Sequence, residues 1–247
     1  MHLLEDSMHV KGNKMSNDSK QFEAFDVLSD GISFVRLINT MGSDIEIVNG
    51  ARVSFGKRRE ELDEKDKVLI QYLADERHTS PFEHVAFTFH IKCPLFVTRQ
   101  WHRHRTWSYN EISRRYTSMN LEFYVPKAYR QQAETNRQAS TDKLIEETKD
   151  GKNIHDLVSA HTFKAFEFYE DLIKQGVARE QARMVLPQNM YTEMYATVNL
   201  HNLIHFVELR IHPGAQWEIQ QYALKLLDLA EEAAPYAIKA IRKARNW

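Results

Sequence analysis

The eighteen residues from Arg99 to Tyr116, R-Q-W-H-R-H-R-T-W-S-Y-N-E-I-S-R-R-Y, hold the densest chemistry in the chain. Five are arginines (Arg99, Arg103, Arg105, Arg114, Arg115), two are histidines, and Glu111 is the only acid. Guanidinium forks match phosphate oxygens bidentately, and a near-neutral chain that gathers five of them has built a local anion site. Trp101, Trp107, Tyr109 and Tyr116 interleave with the charges and offer flat faces for rings. Ser108, Asn110, Glu111 and Ser113 could hydrogen-bond a base. Together these residue types suit a nucleotide. Two other readings stand beside it: a solvated basic face, and a stacking groove for single-stranded nucleic acid.

A second cluster comprises Arg183 and the run Asn199 to His212, N-L-H-N-L-I-H-F-V-E-L-R-I-H. On a helix His201, His205 and Glu208 fall at i, i+4 and i+7 and so share a face. That spacing could ligate zinc or iron, with His212 as a further ligand, and would make the chain a metal-dependent hydrolase. The plainer alternative, in which each histidine packs or hydrogen-bonds individually, carries more weight. The glutamate does not stand between the histidines as it does in metalloprotease helices, so no metal is expected. Cys93 sits among Ile91, Leu95 and Phe96, a setting for a buried small hydrophobe and not for a reactive thiolate. No histidine–carboxylate pair can be assigned to Ser113, which leaves a ligand hydrogen bond as its expected role. The chain has neither a dinucleotide fingerprint nor a lysine phosphate loop, so arginines and helix ends would have to hold any dinucleotide.

The rest of the chain must position these groups. Its 247 residues, 43% apolar and 27% charged, suit an ordinary globular protein with a sizeable core. Only 8 glycines and 6 prolines argue against a turn-dense β-sandwich and against long linkers. A formal net charge of −1 excludes a globally basic coat for nucleic acid. One cysteine excludes an internal disulfide and suits a reducing compartment, so a cytoplasmic location is expected. No run of about eighteen apolar residues occurs, so no membrane-spanning helix is expected. Residues 1–21 read as a flexible tail and 22–247 as a single domain.

Periodicity places a strand over Ile32–Asn39, and a short helix capped by Asp44 with Ile45, Val48 and Ala51 on one face. A helix follows over Asp63–Arg77 with Val68, Leu69, Tyr72 and Leu73 at helical spacing. Val85–Ile91 alternates as a strand, and Pro94 opens a helix to His102. Ser108–Pro126 lacks helical periodicity, and the polar stretch Tyr129–Asn153 reads as an exposed helical excursion. Helices are expected over Ile154–Gln175, Arg179–Leu186, Asn199–Leu209 and Gln216–Ala234, with a last short helix from Pro235. Met190–Val198 could be a strand. The sum is a helix-rich α+β domain with a small, mostly antiparallel sheet.

Arg103-His104-Arg105, then seven residues, then Ser113 resembles the signature of flavin-dependent thymidylate synthases. The resemblance extends to R-H-T-S-P-F-E-H (Arg77–His84), A-R-M-V-L-P (Ala182–Pro187), T-V-N (Thr197–Asn199), E-L-R (Glu208–Arg210) and A-Q-W-E-I-Q-Q-Y-A (Ala215–Ala223). It spans roughly Ile32 to Ala234, leaving out the tail and the polar stretch. It implies conversion of dUMP to dTMP with methylenetetrahydrofolate as carbon donor, FAD as hydride carrier and NADPH as reductant. It also implies a homotetramer with shared active sites, no cysteine nucleophile, and no nucleic-acid polymer or membrane as partner. By motif position, Ser80, Arg103, His104, Arg105, Glu111, Asn199, His201 and His205 would contact FAD. Gln100, Arg103, Glu111, Ser113, Arg115, Arg183 and Arg210 would contact dUMP, and Arg210 would activate the uracil. Many members have a histidine just before A-Q-W; this chain has Gly214 there, which leaves that position without a flavin role.

Overall fold

The computed structural model describes residues 22–113 and 121–247. The tail and Arg114, Arg115 and Tyr116 lie outside them. Five antiparallel strands form the main sheet in the order β1-β2-β3-β7-β4: β1 Phe22–Phe25, β2 Phe34–Met41, β3 Ala86–Pro94, β4 Ser108–Glu111 and β7 Tyr191–Asn199. Alternation in β3 works as read: Phe87, Phe89, Ile91 and Cys93 are buried, while Thr88, His90 and Lys92 face the other side. Beside it β7 buries Met194, Ala196 and Val198 on the same face. Ile38 is the extra residue of a bulge in β2, between the Leu37–Phe89 and Asn39–Thr88 pairs.

Eight α-helices accompany the sheet among the described residues. They are α1 Asp44–Arg52, α2 Glu64–Asp75, α3 Leu95–Trp101, α4 Ile154–Lys174, α5 Arg179–Ala182, α6 Leu200–Arg210, α7 Trp217–Ala233 and α8 Pro235–Arg245. Leu203, Phe206 and Val207 of α6, and Ile219, Tyr222, Ala223 and Leu226 of α7, close one core with the sheet. The α+β architecture with a small antiparallel sheet is thus as expected.

Several local expectations are corrected. The stretch Tyr129–Asn153 is no helix but holds a β-hairpin, β5 Tyr129–Gln132 with β6 Ser140–Ile145. It has no apolar stripe for a helix to bury, whereas Arg130 reaches across the pair to the Ser140 hydroxyl at 2.9 Å and Asp142 at 2.5 Å. Over Arg179–Leu186 only α5 is α-helical. Residues 183–185 tighten into a 3₁₀ turn and Leu186 is extended (ψ 133°), as a residue before proline prefers. In α1 the capping residue is Ser43, whose N–H and hydroxyl both donate to Glu46, and the buried pair is Ile47 and Val48. Asp44 caps a different helix: its carboxylate accepts the Tyr236 N–H (3.0 Å) and the Ala237 N–H (2.7 Å) at the start of α8. In α2 the core face is Ile70, Leu73 and Ala74, and Val68 and Tyr72 are exposed.

Candidate active site

Arg210 is the best-anchored cation near the arginine window. At the last turn of α6, its Nε donates to His104 Nε2 and its Nη2 to the Gln100 carbonyl, both at 3.0 Å. Two of its five N–H groups are so used. Burial, then the nearby Arg103, lowers its pKa from the ordinary value. Gln100, on α3, also donates through Nε2 to the side chain of Gln216, which caps α7.

The window folds differently from its expected use. Trp101 and Trp107 are buried, packed on each other and on Phe206, and Tyr109 stacks on Trp107 with its hydroxyl donating to the Trp101 and His104 carbonyls. Trp101 and Trp107 are therefore core and Tyr109 packs half-buried against it, so they are not stacking faces for a ligand; a stacking groove would need them exposed. What they do is hold the loop 102–107 against α6. Arg103 and Arg105 remain exposed, and no carboxylate among the described residues pairs with them or with Arg99. Unneutralised guanidiniums beside a fixed one are the donor set that a phosphate or pyrophosphate requires.

Two clefts hold others of the expected residues. One, of about 170 Å³, lies between α2, α6 and α8; its floor is Leu73, Phe82, Ile204 and Ile241, and its polar rim is Arg77, Thr79, His201, His205, Glu208 and Arg245. Here His201 and His205 share a face, as read, with Glu208. Glu208 is engaged by Arg77 at 3.2 Å, with Arg245 at 3.7 Å. Among the described residues no three histidine, cysteine or acidic side chains converge on a metal position. Ser80 adjoins this cleft on the 3₁₀ turn Ser80–His84, which packs tightly on α1. A Cβ at Gly42 (φ +77°) would sit 2.7 Å from the His84 carbonyl. Asn199 is the α6 N-cap, its Oδ1 accepting from the Asn202 N–H at 2.9 Å, so its side-chain oxygen already has a structural use.

The larger cleft, of about 440 Å³, is lined by Arg99, Glu111, Arg183, Met184, Gln188 and Thr192, among others. It brings Glu111 and Arg183 together from β4 and the 3₁₀ turn. Glu111 is held by the Thr192 hydroxyl at 2.7 Å. Ser108 and Asn110 alternate to the other face of β4, away from Glu111. Ser113 lies just beyond that strand, and Arg115 lies outside the described residues.

The site residues expected from sequence omit Arg77, Thr79 and Arg245 around the smaller cleft, and Arg99 and Thr192 around the larger. Arg77 has a readable signal, standing directly before H-T-S-P; its backbone is left-handed (φ +55°) at the end of α2, an uncommon state for a non-glycine residue. Cys93 is wholly buried, and desolvation pushes its thiol well above the ordinary range, so it is no thiolate. Beside the missing histidine, the Gly214 N–H donates to His212 Nδ1 at 3.0 Å, which folds that ring back onto its own turn.

The family described as "Thymidylate synthase complementing protein" matches residues 36–236. A flavin-dependent thymidylate synthase of Thermus thermophilus is 50% identical over 210 residues, covering 85% of this chain and 76% of its own. That of Thermosipho africanus is 45% identical over 210 residues, covering 85% and 91%. Among solved structures, a UMP/dUMP methylase from Streptomyces cacaoi bound with 5-Br dUMP is similar with a TM-score of 0.75 and 34% identity, covering 85% of this chain and 95% of that one.

Proposed function

The chain belongs to the flavin-dependent thymidylate synthase family and is an enzyme of that class, and we propose that it converts dUMP to dTMP in the cytoplasm, with methylenetetrahydrofolate as carbon donor, FAD as its flavin and NADPH as reductant. The observation that carries this reading is the anchored Arg210 with Arg103 close enough to act on it, while Arg99, Arg103 and Arg105 have no acidic partner among the described residues. The donor set fits a phosphorylated flavin: exposed guanidiniums for the pyrophosphate, and an apolar-floored cleft rimmed by His201 and His205.

Arg103, Arg105 and His104 would hold FAD, with His201 and His205 at the smaller cleft, Ser80 and Asn199, and Glu111 from β4. FAD, when bound, supplies the hydride that completes the transferred methyl group. Gln100, Arg103, Glu111, Ser113, Arg115 and Arg183 would hold dUMP. Arg210 would stabilise the negative charge that develops on the uracil ring, making its fifth carbon the nucleophile toward the methylene. The buried Cys93 takes no part. A homotetramer completes the proposal. Its support is α4, where Phe163, Phe168 and Leu157 are exposed and only Thr162 and Tyr169 are buried.

Purified protein tests the reading. It should carry flavin absorption and form dTMP from dUMP, and Arg210→Lys should keep the flavin and its reduction by NADPH while product formation falls roughly a hundredfold, since an ammonium lacks the planar fork. Cys93→Ser should retain turnover. Product formation abolished by Cys93→Ser and untouched by Arg210→Lys would make the chemistry thiol-dependent and overturn the mechanism.

A further inference from the structure

His104 stands between two exposed arginines yet is only 6% exposed itself. Its backbone is clamped: the N–H donates to the Trp101 carbonyl at 2.9 Å, and the carbonyl accepts the Tyr109 hydroxyl at 3.1 Å. Its ring meets Phe206 edge-on with centroids 4.7 Å apart. A buried ring packed on Phe206, on a backbone clamped at both its N–H and its carbonyl, has little rotamer freedom. Its Nε2 is the acceptor for Arg210 Nε–H, while the Gln100 carbonyl takes Nη2. A guanidinium is planar, so fixing two of its nitrogens fixes the orientation of the whole fork. Acceptance at Nε2 requires that nitrogen to be bare, with the ring proton on Nδ1.

We propose that His104 is a positioning residue for Arg210: as a neutral ring protonated at Nδ1, it accepts the Nε–H and, with the Gln100 carbonyl, sets the plane in which the remaining guanidinium N–H groups meet the substrate. This goes beyond a contact with the flavin and rests on the reading of Arg210 as the uracil-activating group. The charged and titratable groups facing the ring are Arg210 and His205 of α6, with the Tyr109 hydroxyl at its backbone; Arg103 acts through Arg210. Burial first, then Arg210, then His205, pushes the His104 pKa down to about 4, so the ring is a neutral acceptor near neutral pH.

The test compares His104→Leu, which removes the acceptor, with His104→Gln, whose amide oxygen can reach the place of Nε2. Each is made alone and combined with Arg210→Lys. His104→Leu should lose roughly tenfold or more in dTMP formation per flavin retained, the cost of one charge-assisted hydrogen bond, while the flavin that stays bound is still reduced by NADPH. His104→Gln should recover most of that loss, and the double variant His104→Leu with Arg210→Lys should be no slower than Arg210→Lys alone. Independent, multiplying losses overturn the proposal, as does a His104→Leu enzyme that sheds flavin yet turns over normally per flavin retained. The unmutated protein offers a second test that survives a misfolded variant. Long-range ¹H–¹⁵N spectra near neutral pH should show His104 with a bare Nε2 and a protonated Nδ1; a proton on Nε2 overturns the pairing. That spectrum needs no turnover, so a chain that made no dTMP would fail the functional reading while the pairing was still judged separately.

Discussion

The His104 ring is buried beside a guanidinium, and its titration therefore ties folding to pH. In the unfolded chain its pKa is the ordinary 6.5, and in the folded protein about 4, so between those values the unfolded state binds more protons. Stability should fall as pH is lowered through that window and be unaffected by this group above it. The shift is worth about 3 kcal/mol when complete. Denaturant unfolding of the parent and of His104→Gln at pH 7 and pH 4.5 measures it: the parent should lose more stability than the variant, and equal losses would remove His104 as the cause. Surroundings decide such roles more than residue type does. Cys93, Trp101 and Trp107 are chemically attractive in the sequence and inert in the fold, because the sheet and α6 bury them. His104 is the reverse case, one more histidine in a basic run that becomes the acceptor orienting Arg210.

At the scale of elements, what is legible in the sequence is what depends on neighbours in the chain. The alternation of β3 and the long apolar stripes of α6 and α7 appear where periodicity places them. The meeting of Glu111 and Arg183 in one cleft, and of Arg103 with Arg210, is beyond local periodicity, since they come from a strand, a 3₁₀ turn, a loop and a helix end. The hairpin β5–β6 is illegible because its cross-strand pairing lies in polar contacts such as Arg130–Asp142, which leave no hydrophobic period to read. Asp44 misleads local rules for a similar reason. Its partners, Tyr236 and Ala237, are more than 190 residues away, and no local rule finds a cap at that distance. Asp44→Ala should leave both α8 N–H groups without their acceptor in a buried place, costing about 1–3 kcal/mol. Asp44→Asn, which keeps an acceptor oxygen, should lose less. Equal losses in thermal unfolding would show that charge, not capping, is what Asp44 contributes, because both variants are neutral.

For the whole molecule, the question is what completes a site whose arginines stand on an open surface. Arg103 and Arg105 are exposed, the two clefts are shallow for a cofactor as large as FAD, and no glycine-rich loop encloses a pyrophosphate. At the same time α4 spends 21 residues exposing Phe163 at 61% and Phe168 at 54%, with Met184 at 78% beside the larger cleft. Apolar groups so placed are stable in water only at a cost, which a second copy of the chain would relieve while walling in the cleft. Assembly and cofactor retention should then be one equilibrium, linked by mass action. Light scattering of the parent should give about four times the 29.1 kDa chain mass. Phe163→Glu together with Phe168→Glu should shift the protein toward smaller species, because burying two new charges at an interface is prohibitive. Flavin should be lost in step with the tetramer as the protein is diluted. A monomeric double variant that kept its flavin and still turned over dUMP would show that each chain builds its site alone, and the shared-site assembly would have to be abandoned.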